Sequence, residues 1–215
     1  MMRVTMRTLI PVVLAATALA GCSAGGTDAA PGKNGDGDPS KAAGTAKSAE
    51  AVAKGGTLGG AGSACELPVT FDLAADWKPQ AVDVDPGSEL AVALGQQGSA
   101  TMVCEIDAKP AGNIGYLRVW QGKGSGTAPR AALEDFVAGD PEASEASYEA
   151  TEAGSVEAAE VTYTVKVLDE RRTESAFAVA TPDGPVVVHL GGLDSEEHRE
   201  MLPAYELAKQ SLKLG

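Results

Sequence analysis

Cys22, Cys65 and Cys104 are the only thiols in a chain of 215 residues, and His189 and His198 are its only imidazoles. Two histidines cannot build a histidine-rich metal site. The cysteines contain no Cys-x-x-Cys pair for thiol exchange. No metal and no cofactor are expected on these patterns. No Gly-x-Ser-x-Gly elbow marks a serine nucleophile, and Ser195 reads as the first turn of a helix. The run Gly122-Lys123-Gly124-Ser125-Gly126 lacks the preceding spacing of a P-loop and reads as a turn. His189, in a valine-rich strand, is expected to be a structural imidazole. His198, beside Glu197 and Arg199, is expected on the surface. Acids outnumber bases 30 to 17, a net charge of -13, which disfavours a nucleic-acid backbone as partner. Nine acids and no base lie between Ala131 and Val165. They are spread rather than packed as in a calcium loop, so a solvated acidic face is expected, one that favours a basic partner.

The three cysteines stand in different settings. Before Cys22 come Arg3 and Arg7, then an apolar stretch from Leu9 to Leu19, then Ala20 and Gly21. The apolar run is shorter than the ~20 residues of a membrane-spanning helix and has the layout of a secretory signal. The start codon (Met1, Met2 or Met6) does not alter this. Leu19-Ala20-Gly21-Cys22 resembles the bacterial lipobox, in which the cysteine thiol receives a diacylglycerol and becomes the first residue after cleavage. Two or more acyl chains make a stable anchor, where one binds reversibly. The resemblance implies residues 1–21 as signal peptide, Cys22 as lipid attachment point and the bilayer as partner. Cys65 and Cys104 then remain as an even pair in an exported domain, where a disulfide is the expected state and two buried thiols the competing one. Closing a loop of about 40 residues stabilises by roughly 3–4 kcal/mol in the chain-entropy model.

Residues 22–64 are read as the lipidated cysteine and a flexible tether. After Cys22 this segment holds eleven glycines and eleven alanines, balanced charge and no aromatic ring. Residues 65–215 are read as one extracytoplasmic globular domain, with a charge near -15. Leu67–Ala74 reads as a first strand. Thr101–Asp107 reads as another, with Met102, Cys104 and Ile106 facing inward together. Ile114–Trp120 is a third, and Pro129–Val137 a helix with Pro129 near its first position. From Val156 the alternation is that of antiparallel strands, with a hairpin signal at Thr181-Pro182-Asp183-Gly184. Asp194 caps a closing helix, with Glu197 completing a capping-box pattern. Met201, Tyr205, Ala208 and Leu212 form its apolar face, and Pro203 kinks or divides it. The expected class is α+β, an antiparallel sheet with helices packed on one face.

The segments LPVTFDLAADWKP, ALEDFV and LPAYELAKQSLKL, with the late strands between them, resemble the Mog1/PsbP-like α/β/α sandwich. Their layout is similar to that of the LpqN-type lipoproteins of high-GC Gram-positive (actinobacterial) organisms. That resemblance implies an envelope location and a binding or assembly role without catalysis, and supplies no catalytic residues. The partner is expected to be an envelope protein or an apolar small molecule, received in a cleft between sheet and helix lined by Trp77, Trp120 and Tyr205. A hydrolase of wall or lipid material and a purely structural lipoprotein are the alternatives. Oligomeric state is not legible in the sequence.

Overall fold

The computed structural model describes residues 52–215. Leu19, Ala20, Gly21 and Cys22, and most of the segment read as tether, lie outside the described residues. The chain runs β1 (Lys54–Leu58), β2 (Val69–Ala74), β3 (Lys78–Ala81), α1 (Glu89–Gly95), β4 (Gln96–Gln97) and β5 (Ala100–Asp107). It continues through β6 (Gly115–Gln121), α2 (Pro129–Ala138), β7 (Ala143–Ala153) and β8 (Val156–Val167). It ends with β9 (Glu170–Val179), β10 (Val186–Gly192), α3 (Ser195–Ser211) and β11 (Lys213–Leu214).

The large sheet has the order β3-β5-β6-β10-β9-β8-β7, with β4 paired to the end of β5, and every pairing is antiparallel. A three-stranded sheet, β1-β2-β11, contributes to the layer that α3 forms over one face. Helices cover both faces, not one: α3 packs on one and the shorter α2 on the other. The period-two alternation of the strands explains this. In β9, Phe177 and Val179 join the α3-side core, while Ala176 and Ala178 join the α2-side core. Strands apolar on both faces require cover on both.

Two expectations about the strands change. A β-bulge between Met102 and Cys104 inserts one residue in β5, so Met102 packs on the α2 side while Cys104 and Ile106 pack on the α3 side. The ordered domain also begins before Cys65. β1 lies inside the segment read as tether, pairs with β2 and buries Leu58 to 1% exposure. Its lysine and glycines hid it, because a strand at the margin of a small sheet needs only one core residue.

β7 was read only as part of an acidic run. It is an eleven-residue edge strand with mostly exposed side chains. The hairpin at Thr181–Gly184 joins β9 and β10 as expected. Thr181 Oγ1 donates to the Gly184 carbonyl at 2.7 Å, and Gly184 takes φ 117°, a conformation that favours glycine. α3 starts at Ser195, where Asp194 Oδ1 accepts from the amides of Glu196 and Glu197. Glu197 does not close a capping box; its carboxylate accepts from the Ile114 amide. α3 continues through Pro203 as one helix.

Candidate functional site

β10 and β9 place His189 and Glu174 on the α2 side of the large sheet. His189 shares that side with Val187, and Glu174 shares it with Ala176 and Ala178. Both are buried, at 5% and 3% exposure. A buried carboxylate is costly unless paired, and here it has three partners. His189 Nε2 lies 2.9 Å from Glu174 Oε2, and the Tyr163 hydroxyl donates to the same oxygen at 3.1 Å. Arg172 Nε lies 2.9 Å from Glu174 Oε1. Tyr163 sits directly opposite Glu174 in the β8–β9 register. Burial pushes the Glu174 carboxyl up, but the hydrogen bond and charge of His189, the charge of Arg172 and the Tyr163 hydroxyl outweigh it and hold the carboxyl at about 2. The Tyr163 hydroxyl moves the other way, well above its usual range, through burial and then the Glu174 charge.

With the carboxylate as acceptor, Nε2 of His189 carries a proton. Nδ1 is buried and has no hydrogen-bond partner among the described residues. The ring is wedged between Phe136 of α2, at 5.5 Å between centroids, and the stacked Tyr163 ring at 6.3 Å. Trp120, 3% exposed on the neighbouring β6, keeps a second buried nitrogen, Nε1, without a partner. Buried polar groups are nearly always satisfied; of the four buried side-chain nitrogens without a hydrogen-bond partner among the described residues, those of Trp120, Arg172 and His189 lie together here, where a ligand or water would complete the structure, and His198 Nδ1 lies apart on the α3 side.

A cavity of about 440 Å³ opens here. Its floor carries Arg118, Trp120, Arg172, Glu174 and His189, and its walls are Gln96 and Gln97 after α1 and Gly139–Pro141 after α2. α2 ends at Ala138 and packs over β7, β8 and β9, its Phe136 ring meeting Trp120 of β6 edge-on at 5.4 Å, while Tyr116 and Arg118 further along β6 stay partly exposed. Gly191 keeps the floor open: a β-carbon there would stand 3.3 Å from His189 Cε1 and 3.6 Å from Glu174 Oε1. Arg118 is fixed by Glu105 at 2.9 Å and lies over the Tyr116 ring at 4.7 Å. Around the mouth stand the exposed side chains of Leu94, Ile114 and Leu193. Val167 and Leu168 line the adjoining hollow, which shares Arg172 and Leu193 with it.

The expected cleft of Trp77, Trp120 and Tyr205 does not exist. Trp77 and Tyr205 belong to the core under α3, whereas Trp120 lies on the opposite face of the sheet. Strand parity separates them: Trp120 alternates with Leu117 and Val119, which face α3. The Tyr205 ring packs edge-on against Phe177 at 5.4 Å, and its hydroxyl donates to Glu160 at 2.7 Å. His198 also departs from expectation. It is buried at 3% exposure on the α3 side, with Nε2 3.1 Å from Ser175 Oγ. Burial lowers its pKa, against the pull of Glu174 and with the repulsion of His189. Ser195 accepts a hydrogen bond from the Thr173 amide at 2.9 Å, as suits a residue that anchors a helix start. Cys65 and Cys104 are joined, with Cα atoms 6.0 Å apart.

The residues that sequence reasoning did not assemble are Arg118, Arg172 and Glu174. One signal was available. Glu174 has the parity of Ala176 and Ala178, so the strand pattern itself puts a carboxylate on an inward face. Among the described residues, no group of three or more His, Cys, Asp or Glu is placed to hold a metal ion, and no helix is long and apolar enough to cross a membrane.

The solution structure of cyanobacterial PsbP (CyanoP) from Synechocystis sp. PCC 6803 is similar at 14% identity, with a TM-score of 0.46. The similarity covers 74% of this chain and 97% of that one. No curated protein matches the sequence. A family model described as "Uncharacterised lipoprotein" matches residues 36–212, a span that holds both disulfide cysteines and every residue lining the cavity, and the chain belongs to that lipoprotein family.

Proposed function

We propose that the protein is an envelope lipoprotein, held on the extracytoplasmic face of the cell membrane through Cys22, whose domain binds a small molecule in the cavity on the α2 side. The observation that carries this is the pair of buried, partnerless nitrogens on Trp120 and His189, both on residues that line one cavity. The apolar side chains around the mouth favour a ligand with a polar head and an apolar remainder. The Cys65–Cys104 bond suits an oxidising compartment.

A histidine beside a carboxylate is also what a hydrolase uses, so that reading needs an answer. In this arrangement His189 gives Nε2 to Glu174, and its other close polar neighbour is Tyr163. A tyrosine raised well above its normal range is a poor nucleophile. The network therefore favours holding a ligand over turning one over.

Gly191→Leu tests the binding site, because the new side chain occupies the cavity floor. Solvent extracts of the purified wild type, analysed by mass spectrometry, are expected to contain a small molecule that the variant lacks. An extract identical for both proteins would overturn the cavity as the site, and a molecule recovered chemically cleaved would turn the reading to the hydrolase. Cys22→Ala is expected to release the protein from washed membranes, and its retention there would sink the anchor.

A further inference from the structure

The large sheet ends in two unlike edges. β3 is a four-residue edge containing Pro79, which cannot donate to an added strand. β7 is eleven residues long, mostly exposed, and free of proline and lysine. Natural sheets blunt such an edge with prolines, lysines, shortness or bulges. Here only a bulge intervenes, between Ser144 and Ser147, where Glu145 takes φ 55°. Ser147–Ala153 beyond it keep regular register with β8. Ala153 is fully buried, so the six residues Ser147–Glu152, at ~3.4 Å each, leave an open ladder of about 20 Å. No strand pairs with its outer side among the described residues.

The charges on this edge select its occupant. Glu149 lies directly opposite Glu160, and Glu152 opposite Glu157. Like charges placed opposite each other destabilise a strand pair. Glu160 is compensated by Lys209 at 2.8 Å and by the Tyr205 hydroxyl. Glu149, Glu152 and Glu157 have no cationic partner within ion-pair distance among the described residues. A second copy of β7 would bring more glutamates to the same place. A lysine- or arginine-bearing strand would supply the missing charge while completing the ladder.

We infer that β7 is a strand-addition site for an extended basic segment of another protein. Main-chain hydrogen bonds to Ser147–Glu152 would provide the affinity, and Glu149 and Glu152, one on each face, the preference for cations. This surface is separate from the α2-side cavity.

The experiment uses amide hydrogen exchange by NMR on the purified protein. Glu149 and Glu152 lie on opposite faces of the strand, so the probe is a nine-residue peptide of lysine, threonine and valine with lysines three residues apart, which presents a cation to each face. Alternate amides within Ser147–Glu152 are expected to gain protection, and the double variant Glu149→Lys/Glu152→Lys is expected to bind about tenfold or more weakly at the same unfolding midpoint. A peptide of the same charge, N-methylated at alternate residues, is expected not to bind. Equal binding of that peptide would reduce the effect to charge attraction and overturn the inference. Protection of β7 without peptide would overturn it in favour of the chain's own residues 1–51, or of a second copy where the protection rises with protein concentration.

Discussion

The two faces of the large sheet are built to different standards. Under α3 the core is apolar at its centre, where Phe71, Ile106, Leu117, Phe177, Leu190, Met201 and Tyr205 are each at 2% exposure or less, and its buried polar groups, His198 with Ser175 and Lys209 with Glu160, are paired. A seventeen-residue helix and the small sheet close that face. Under α2 a ten-residue helix covers only part of the sheet. Leu133 and Phe136 fill the covered part. The rest carries Arg118, Arg172, Glu174 and His189 around an open cavity. One face buys stability, and the other keeps charged groups in fixed positions that an apolar core would not need. Buried polar networks left partly unsatisfied are costly to keep, so the incomplete face is where a ligand would act.

The comparison breaks most sharply under paired substitutions. Phe177→Ala is expected to cost about 3–5 kcal/mol, as for other buried phenylalanines. Glu174→Ala is expected to cost a similar ~3–5 kcal/mol by a different route, since it strands His189, Tyr163 and Arg172 without their shared acceptor. The two routes separate on a second change. Glu174→Leu with His189→Leu replaces the charged pair by apolar groups and is expected to recover part of the loss, Tyr163 and Arg172 still lacking their acceptor, while abolishing ligand recovery. Urea unfolding reads all of these. Failure of the double variant to recover would show that the network holds the α2 face together rather than serving a ligand.

The disulfide tests the well-packed side. Cys104 lies at 0% exposure among the α3-side residues, and Cys65 ties the segment after β1 to it. Cys65→Ala with Cys104→Ala is expected to cost about 3–4 kcal/mol, with the cavity and its ligand unaffected. Loss of ligand from that variant would mean that the two faces are coupled, contrary to their separate cores.

Acid distinguishes the faces next. Glu174 stands at about 2 against an ordinary value of 4.5. Its pKa is depressed on folding, so its contribution is complete above 4.5 and is lost as the pH falls through 2. At ~1.4 kcal/mol per pH unit this amounts to about 3 kcal/mol. Wild type is expected to lose that much stability between pH 5 and pH 2, and Glu174→Gln, less stable at neutral pH, to show a flatter profile. Alkali does not discriminate in the same way. Burial together with Glu174 or Glu160 raises the Tyr163 and Tyr205 hydroxyls well above 10, one on each face. Both contributions are present below 10 and fade only as the pH rises through those raised values. An acid profile unchanged by Glu174→Gln would remove the carboxylate from the account.

The difference between the faces also explains what could be read from residues alone. The class, the late hairpin, α2 and α3 follow from period and punctuation, which local chemistry dictates. Cys65 and Cys104 are legible by elimination once Cys22 is set aside. β1 is not, because Lys54, Gly55 and Gly56 carry no strand pattern and the strand exists through its pairing with β2. The cavity is not legible either. It depends on where α2 stops and on how α1 and its following strand wall the floor, neither of which strand alternation reveals. Trp77, Trp120 and Tyr205 were grouped by residue type and by position near element ends, and sheet parity placed one of them on the other face.

The smallest effect concerns the turn between β8 and β9, beside the cavity mouth. Leu168 is 89% exposed and takes φ 57°, a left-handed conformation that branched side chains rarely adopt. Near the apolar, closed face the positive-φ non-glycine residue is Asp76, φ 66°, between Ala74 and Trp77 and of a type that tolerates this conformation. An exposed leucine in that conformation gains nothing from burial and costs about 1 kcal/mol of backbone strain. Leu168→Gly is thus expected to leave the domain equally stable or to stabilise it by up to about 1 kcal/mol, the relief of strain being offset in part by the entropy of a freer unfolded chain. The same variant is expected to recover less of the cavity ligand, because the apolar lip is gone. Stability gained at the expense of binding would mark the leucine as a functional residue kept against local preference. Unchanged ligand recovery would confine the site to the polar floor and leave the apolar rim without a role.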